Sequence, residues 1–165
     1  MDYALTLEQL RPGARYAGSL TANTPEAYAA LRWKDERPKP TPAEIAAAEV
    51  EIARAKRKRQ AEARTAELLT VTHNGAQFQL SAERVTILEA ATKRKDQLSY
   101  AGKGKGLKTS SGDFYFVANA AELQALNDEA AIRYETVMAG EAYLFGLFDD
   151  AITTAALEAI TDDRQ

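Results

Sequence analysis

The fold of this chain is decided by residues 41–80, which read TPAEIAAAEVEIARAKRKRQAEARTAELLTVTHNGAQFQL. Thr41 can cap free helix amides, Pro42 suits the first helical position, and Glu44 can return a hydrogen bond to the cap. The residues that follow are mostly Ala, Glu, Arg and Lys, without glycine or proline, and these types have high helix propensity. The sequence therefore predicts one long helix over about residues 41–69.

One stripe of this helix is apolar. Ile45, Ala48, Ile52 and Ala55 fall on a seven-residue repeat, which charged residues such as Arg59 interrupt further along. Alanine buries little area, so the stripe gains little hydrophobic free energy unless it packs against another surface. We interpret the helix as a candidate coiled-coil arm with these four apolar residues as partner-binding positions, and a homo-oligomer formed through the helix is an open alternative.

A β-hairpin is predicted directly after the long helix. Asn74-Gly75 lies between two runs, residues 69–73 and 76–80, in which apolar and polar side chains alternate. Asn-Gly is preferred in two-residue hairpin turns because both central residues need positive φ. The alternation places Phe78 on the buried side of the hairpin.

The remaining chain predicts shorter helices and one further strand. Ser81 is a good cap for the next helix, and Asn119 with Glu122 has the pattern of another helix start. The aromatic run 113–117 predicts a strand that we expect to pair with the hairpin in a three-stranded sheet. A short final helix is expected within residues 151–160.

The predicted fold class is α+β, predominantly helical. An irregular N-terminal segment over residues 1–40 precedes the long helix 41–69, and a small α+β module occupies residues 70–165. Turn signals such as Pro12-Gly13 favour irregular structure in the first segment.

Composition excludes several classes of protein. The absence of cysteine rules out disulfide scaffolds, thiol nucleophiles and thiolate zinc sites. No apolar stretch approaches the roughly 18 residues that span a bilayer, so no membrane is expected among the partners. The first ten residues lack a basic region followed by an apolar run, and we expect no secretory leader.

Charge is divided along the chain. Residues 1–118 carry 19 Lys and Arg against 14 Asp and Glu, whereas residues 119–165 carry 2 against 10. The two parts could attract each other within the fold or between subunits, or they could form solvated helix faces of different sign.

No catalytic, cofactor-binding or metal-binding residues are predicted. His73 is the only histidine, and its place before the hairpin turn leads us to expect an exposed side chain. The loop Gly102–Gly106 matches neither a phosphate-binding loop nor a dinucleotide fingerprint, so a flexible linker is favoured there.

The densest basic cluster is a candidate anion-binding site. It consists of Arg54, Lys56, Arg57, Lys58 and Arg59. Such a cluster on an exposed helix could bind phosphates, so a nucleic-acid-binding regulator is the alternative function. The charges point around the helix, however, and the sequence pI is about 5.3, so a solvated helix is favoured over nucleic-acid binding.

A family resemblance appears where the chain approaches the long helix. Trp33–Ile45 read WKDERPKPTPAEI, a tryptophan and an acidic, proline-lysine-proline-threonine run before an alanine-rich helix. This order resembles tailed-bacteriophage proteins encoded among tail and tail-fibre genes. The resemblance continues through Asn74-Gly75, Phe78, the aromatic strand Asp113–Phe116, the run Ala121–Leu126 and Ala151–Thr154.

The resemblance covers roughly residues 30–160 and implies a structural function. It implies a tail-associated structural protein or a tail-fibre assembly protein that binds a phage tail, fibre or baseplate protein. The location would be the host cytoplasm during assembly, or the virion tail. Trp33 is then a candidate partner-binding residue, although a lone tryptophan beside a proline-rich segment is more often a packing anchor. No catalytic residues follow from the resemblance.

Overall fold

The computed structural model describes residues 2–94 and 106–165. It has the predicted α+β fold, in which helices predominate. Within these ranges the elements follow in the order α1 (Tyr3–Leu10), β1 (Tyr16–Ala17), α2 (Pro25–Ala29), β2 (Arg32–Trp33), α3 (Pro42–Leu68), β3 (Thr70–His73), β4 (Ala76–Gln79), α4 (Ala82–Thr92), β5 (Gly106–Lys108), β6 (Phe114–Phe116), α5 (Ala120–Asp150) and α6 (Thr154–Ala159).

The start of α3 has the predicted capping box. The Glu44 amide donates to Thr41 Oγ1 at 3.2 Å, and the Thr41 amide donates to Glu44 Oε2 at 2.7 Å. Two free backbone donors are thereby satisfied at the helix start. The bond from the Thr41 amide is the main reason why the pKa of Glu44 is lowered. The predicted long helix is confirmed, from Pro42 to Leu68.

The chain forms two compact units. The first consists of Met1–Gln60 and Phe145–Thr161, and the second of Ala61–Leu144 and Asp162–Gln165. Residues of α3 and of α5 contribute to both units, because the boundaries fall inside these helices.

The first unit has its own aromatic core. Tyr3 and Tyr28 stack with ring centroids 5.3 Å apart, and Leu7, Leu31 and Ile45 are buried with them. The N-terminal residues that the sequence indicated as irregular contain α1, β1, α2 and β2. Side-chain caps explain why such short helices form, since Asp2 and Thr24 each accept a backbone hydrogen bond at a helix start.

The second unit is built around α5. Its buried cluster combines side chains from the hairpin and the residue after it, from α4, from β5, from the residue after β6 and from the first half of α5. The members are Phe78, Leu80, Leu88, Ala91, Leu107, Val117, Leu123, Leu126 and Ala130. The predicted helix starts of α4 and α5 are both present, with Ser81 Oγ accepting from the Arg84 amide and Asn119 Oδ1 accepting from the Glu122 amide.

The predicted hairpin is confirmed. Val71 pairs with Phe78 across β3 and β4. Asn74 and Gly75 have φ values of 47° and 81°, the left-handed conformations that a two-residue turn requires. Phe78 is buried, as the alternation indicated.

The prediction of a three-stranded sheet is wrong. In the described part of the chain, β6 pairs with β5 in a separate two-stranded antiparallel sheet, with Leu107 opposite Tyr115. Residues Gly106–Lys108 carry no strand signal, because glycine and lysine have low strand propensity. A Cβ at Gly106 would lie 3.0 Å from Phe116 Cε1, which favours glycine there. The rest of the expected Gly102–Gly106 linker lies outside the described residues.

We expect Leu126→Ala to destabilise the protein by roughly 2–5 kcal/mol, because it leaves a cavity in the core of the second unit. Ile132→Ala, a change on an exposed position of the same helix, should alter the free energy of unfolding by less than about 0.5 kcal/mol. Urea unfolding followed by circular dichroism measures both values. Equal losses in the two variants would contradict the assigned core.

Candidate partner-binding site

The apolar stripe of α3 is not a free surface. Ile45 is fully buried in the core of the first unit, and Ala48 is also buried. Ile52 is half-buried and Ala55 is exposed. The side chain of Ile45 is therefore not available to a partner in this conformation, which corrects the interpretation of the stripe as one binding face. The sequence could not show this, because the side chains that share the core with Ile45 come from the N-terminal residues 3–33.

Trp33 is held within the first unit. Its indole Nε1 donates to the Arg37 carbonyl at 2.6 Å, and its ring stacks on Tyr16 with centroids 6.4 Å apart. These contacts fit a packing anchor, and a contact of Trp33 with a partner stays a prediction.

The basic cluster of α3 is partly used inside the first unit. Arg54 donates to the carbonyls of Phe148 and Ala151 at 2.8 and 2.9 Å. These carbonyls lie at the end of α5, where the last backbone acceptors of a helix have no intrahelical donors. A cation at this end is also favoured by the helix dipole.

Two further members of the basic cluster bind the same region. The Arg57 guanidinium donates to the Ile160 carbonyl and lies 5.4 Å from the centre of the Phe148 ring. Lys58 Nζ lies 2.8 Å from Asp149 Oδ1. The Lys58–Asp149 pair thus joins a cation of the basic part of the chain to a carboxylate of the acidic part, within the first unit.

The predicted anion-binding set is therefore divided. Two of its residues, Lys56 and Arg59, are exposed. The other three form hydrogen bonds with the end of α5 and with the residues that follow it: Arg54, Arg57 and Lys58. A continuous basic surface for phosphates is not formed by these five side chains in this conformation. The geometry accordingly gives the nucleic-acid alternative no support.

We expect Arg54→Ala to lower the free energy of unfolding by about 1–3 kcal/mol, because two carbonyls lose a charged donor. Arg59→Ala, which removes an exposed cation from the same helix, should cost less than about 0.5 kcal/mol. Chemical denaturation of both variants provides the comparison. A larger loss in Arg59→Ala than in Arg54→Ala would refute this assignment.

The prediction that His73 is exposed is wrong. The side chain is only 7 % exposed, and its Nδ1 lies 2.8 Å from Glu129 Oε2. The hairpin turn suggested exposure, but α5 lies beside this end of β3 and supplies the carboxylate. Sequence distance conceals the contact, because Glu129 follows His73 by 56 residues.

The Glu122 carboxylate is hydrogen-bonded to several polar groups near the hairpin turn. Its carboxylate accepts hydrogen bonds from the Tyr115 hydroxyl, from Asn74 Nδ2 at 2.8 Å and from the Ala118 amide at 2.6 Å. The bond from Tyr115 is the largest cause of a lowered pKa at Glu122, and the same bond raises the pKa of Tyr115. Histidine, glutamate and tyrosine side chains can transfer protons. Here the hydrogen bonds of His73, Glu122 and Tyr115 connect the hairpin, β6 and α5.

The lowered pKa of Glu122 predicts a pH-dependent loss of stability. This contribution is present above the ordinary carboxyl pKa of 4.5 and is lost as the pH falls through the lower folded-state pKa. Glu122→Gln should therefore show a shallower decline of unfolding free energy below pH 4.5 than the wild type. Tyr115→Phe should show a smaller change in the same direction, and unchanged slopes in both variants would disprove this role.

The last residues pack within the second unit. Arg164 donates to Thr65 Oγ1 at 2.7 Å and to the Ala61 carbonyl at 3.0 Å, while Asp162 pairs with its guanidinium. A Cβ on Gly140 would lie 2.8 Å from Arg164 Cδ, so glycine leaves room for the arginine stem. The sequence does not reveal this contact, because Arg164 follows Gly140 by about two dozen residues.

The β5–β6 sheet presents two exposed aromatic rings. Phe114 is 63 % exposed and Phe116 is 53 % exposed, and alternation puts both on the face opposite Tyr115. Tyr115 packs against the core of the second unit. We call these two rings the Phe114/Phe116 face. The sequence predicted an aromatic strand, but the identity of its outer face depends on the pairing with β5.

The first unit contains an apolar cavity of about 350 Å³, which we call the Tyr3/Tyr28 cavity. It lies where the chain leaves α2 and begins α3. Its lining consists of Tyr3, Pro25, Tyr28, Ala29, Lys39, Pro40, Thr41 and Pro42.

Two further properties concern residues 2–94 and 106–165. No helix in these ranges is long and apolar enough to cross a membrane. The same ranges contain no group of three or more His, Asp or Glu side chains placed to hold a metal ion.

Comparisons with protein-family models, with curated proteins and with solved structures find no match to this chain.

Proposed function

We propose that this protein is a bacteriophage tail-associated structural or tail-fibre assembly protein that acts by binding another protein. The observation that carries the binding function is the Phe114/Phe116 face. The phage assignment rests on the resemblance over residues 30–160. The proposed partner is a tail, fibre or baseplate protein, met in the host cytoplasm during assembly or within the virion tail.

The physical case for binding is the cost of exposed aromatic surface. Adjacent phenylalanine rings bury large apolar areas when a partner covers them, and aromatic residues are enriched at the centres of interfaces. The sheet beneath these rings is two-stranded in the described part of the chain, so a partner strand could also pair with an outer edge. Both contributions favour a protein partner.

The proposed contact differs from the helical arm that the sequence predicts. Ile45 and Ala48 are already covered by their own chain, whereas Phe114 and Phe116 are not. Self-association through the whole stripe of α3 would need Ile45 and Ala48, which the first unit already buries. A partner bound at the Phe114/Phe116 face leaves the core of the first unit intact.

We expect the double substitution Phe114→Ser and Phe116→Ser to abolish co-purification with tail, fibre or baseplate proteins. Loss of a central aromatic contact costs about 2 kcal/mol or more, which is roughly a 30-fold loss of affinity. The test is affinity capture of the full chain from phage-producing cells, followed by mass spectrometry.

Ile87→Ser, at an exposed apolar position of α4, is the matched control and should retain the partner. Circular dichroism would confirm that both variants are folded. The proposal fails if the wild type captures no tail component, or if the double variant captures it as well as the wild type does.

A further inference from the structure

The outer edge of β5 is bonded to the rest of the second unit. The Thr109 amide donates to the Asp113 carbonyl at 2.8 Å, and hydrogen-bonded pairs alternate with non-bonded pairs from there along the antiparallel ladder. Lys108 belongs to a non-bonded pair, so its carbonyl points away from β6. This carbonyl accepts from Arg84 Nη1 at 2.9 Å, which places α4 along the edge of β5.

The outer edge of β6 has no such partner. The same alternation makes Leu107 and Tyr115 a hydrogen-bonded pair. The amides and carbonyls of Phe114 and Phe116 therefore point away from β5. Within residues 2–94 and 106–165, no donor or acceptor bonds to these four backbone groups. A row of two donors and two acceptors is the pattern to which a further strand can pair.

The side chains of β6 leave this edge accessible. A Cβ on Gly106 would lie 3.0 Å from Phe116 Cε1 and 3.3 Å from Phe114 Cδ1. Both rings therefore lean across the sheet over the glycine of β5, and not outward over the free edge. The absence of a side chain at Gly106 provides the space for this arrangement.

The sequence of the edge suits an antiparallel copy of itself. A two-fold axis at Tyr115 places Phe114 of each copy opposite Phe116 of the other. Each of these pairs can exchange two N–H···O bonds, so two pairs satisfy all four outward groups on both edges. Aromatic side chains opposite each other in an antiparallel pair add favourable contacts. A two-fold interface requires this kind of self-complementary surface.

Charge does not oppose the pairing. Lys108 is the single charged side chain of β5 and β6, and in the paired sheet it lies on the outer strand of each copy. The two lysines are then separated by both β6 strands, so no like charges lie opposite each other.

The apolar area sets the strength of the association. A phenylalanine buries about 150–250 Å², so rings that are 63 % and 53 % exposed offer roughly 200 Å² per copy. A stable complex buries about 800 Å² per partner. The edge therefore supports a weak dimer that depends on protein concentration.

We propose that two copies of this chain associate through the outer edges of their β6 strands. The product is a four-stranded sheet in the order β5, β6, β6, β5, with four phenylalanine rings on one face. Pairing uses the backbone edge and leaves the outer faces of the rings to another partner. It requires neither a tail protein nor the phage assignment.

Sedimentation equilibrium of the purified full chain tests the association. We expect the mean mass to rise from that of the 18.0 kDa monomer toward twice this value as the concentration increases from micromolar to millimolar. Monomer at every concentration would overturn the proposal.

A matched pair of variants tests the backbone bonds. Phe116→Ala and Phe116→Pro both remove the ring, but only proline also removes the outward amide. This amide is not bonded to β5, so proline takes no bond from the chain itself, and proline is tolerated at such edges. We expect Phe116→Pro to dimerise about tenfold more weakly than Phe116→Ala, because the dimer loses two hydrogen bonds. Equal association of the two variants would contradict pairing through the edge.

Cysteine cross-linking tests the register, since the chain has no native cysteine. Positions 114 and 116 of opposite copies lie about 5.5 Å apart between Cα atoms, within the range of a disulfide. Like positions lie about 7–8 Å apart, beyond that range. A mixture of Phe114→Cys and Phe116→Cys should therefore oxidise to a mixed dimer faster than either variant alone. Faster cross-linking within one variant would refute the proposed register.

Circular dichroism of each variant separates loss of the edge from loss of the fold. The result is also distinct from that of tail-protein capture, because sedimentation uses the purified chain alone. A dimer that captures no tail component overturns only the proposed function. A chain that captures a tail component but remains monomeric overturns only the proposed dimer.

Discussion

The high alanine content of α3 is the constraint on which the rest of the structure depends. A helix with so few large apolar side chains gains little from burial, so other contacts must hold it in each unit. Arginine supplies many of them. Arg54 and Arg57 bind carbonyls at and beyond the end of α5 in the first unit, while Arg133 binds the Leu68 carbonyl and Arg164 binds α3 in the second. Charged donors thus stabilise backbone acceptors that water would otherwise satisfy.

Local chemistry could be predicted from the sequence, and contacts between distant residues could not. The cap at Thr41 and the turn at Asn74-Gly75 each depend on neighbouring residues, and both are present as expected. The burial of His73 depends on a carboxylate 56 residues away, and the pairing of β6 depends on a strand without strand propensity. The basic residues of α3 were visible as a cluster, but their carbonyl partners lie about a hundred residues further along.

The Phe114/Phe116 face and the Tyr3/Tyr28 cavity differ in how much apolar surface they expose. The Phe114/Phe116 face offers two apolar rings, so affinity there would come mainly from area removed from water. The Tyr3/Tyr28 cavity offers less, because its two stacked tyrosines are only 6 % and 4 % exposed and the Lys39 ammonium is bonded to three backbone carbonyls. Neither surface was evident from the apolar stripe of α3, because the stripe marks where the chain packs on itself.

The contact between Gly140 and Arg164 links two positions that are far apart in sequence. Glycine inside a helix costs about 1 kcal/mol relative to alanine, and here that cost leaves volume for an arginine stem. The two positions should therefore evolve as a pair. In a lineage that replaces Arg164 by a short side chain, the reason for glycine disappears, and alanine becomes the favoured residue at position 140.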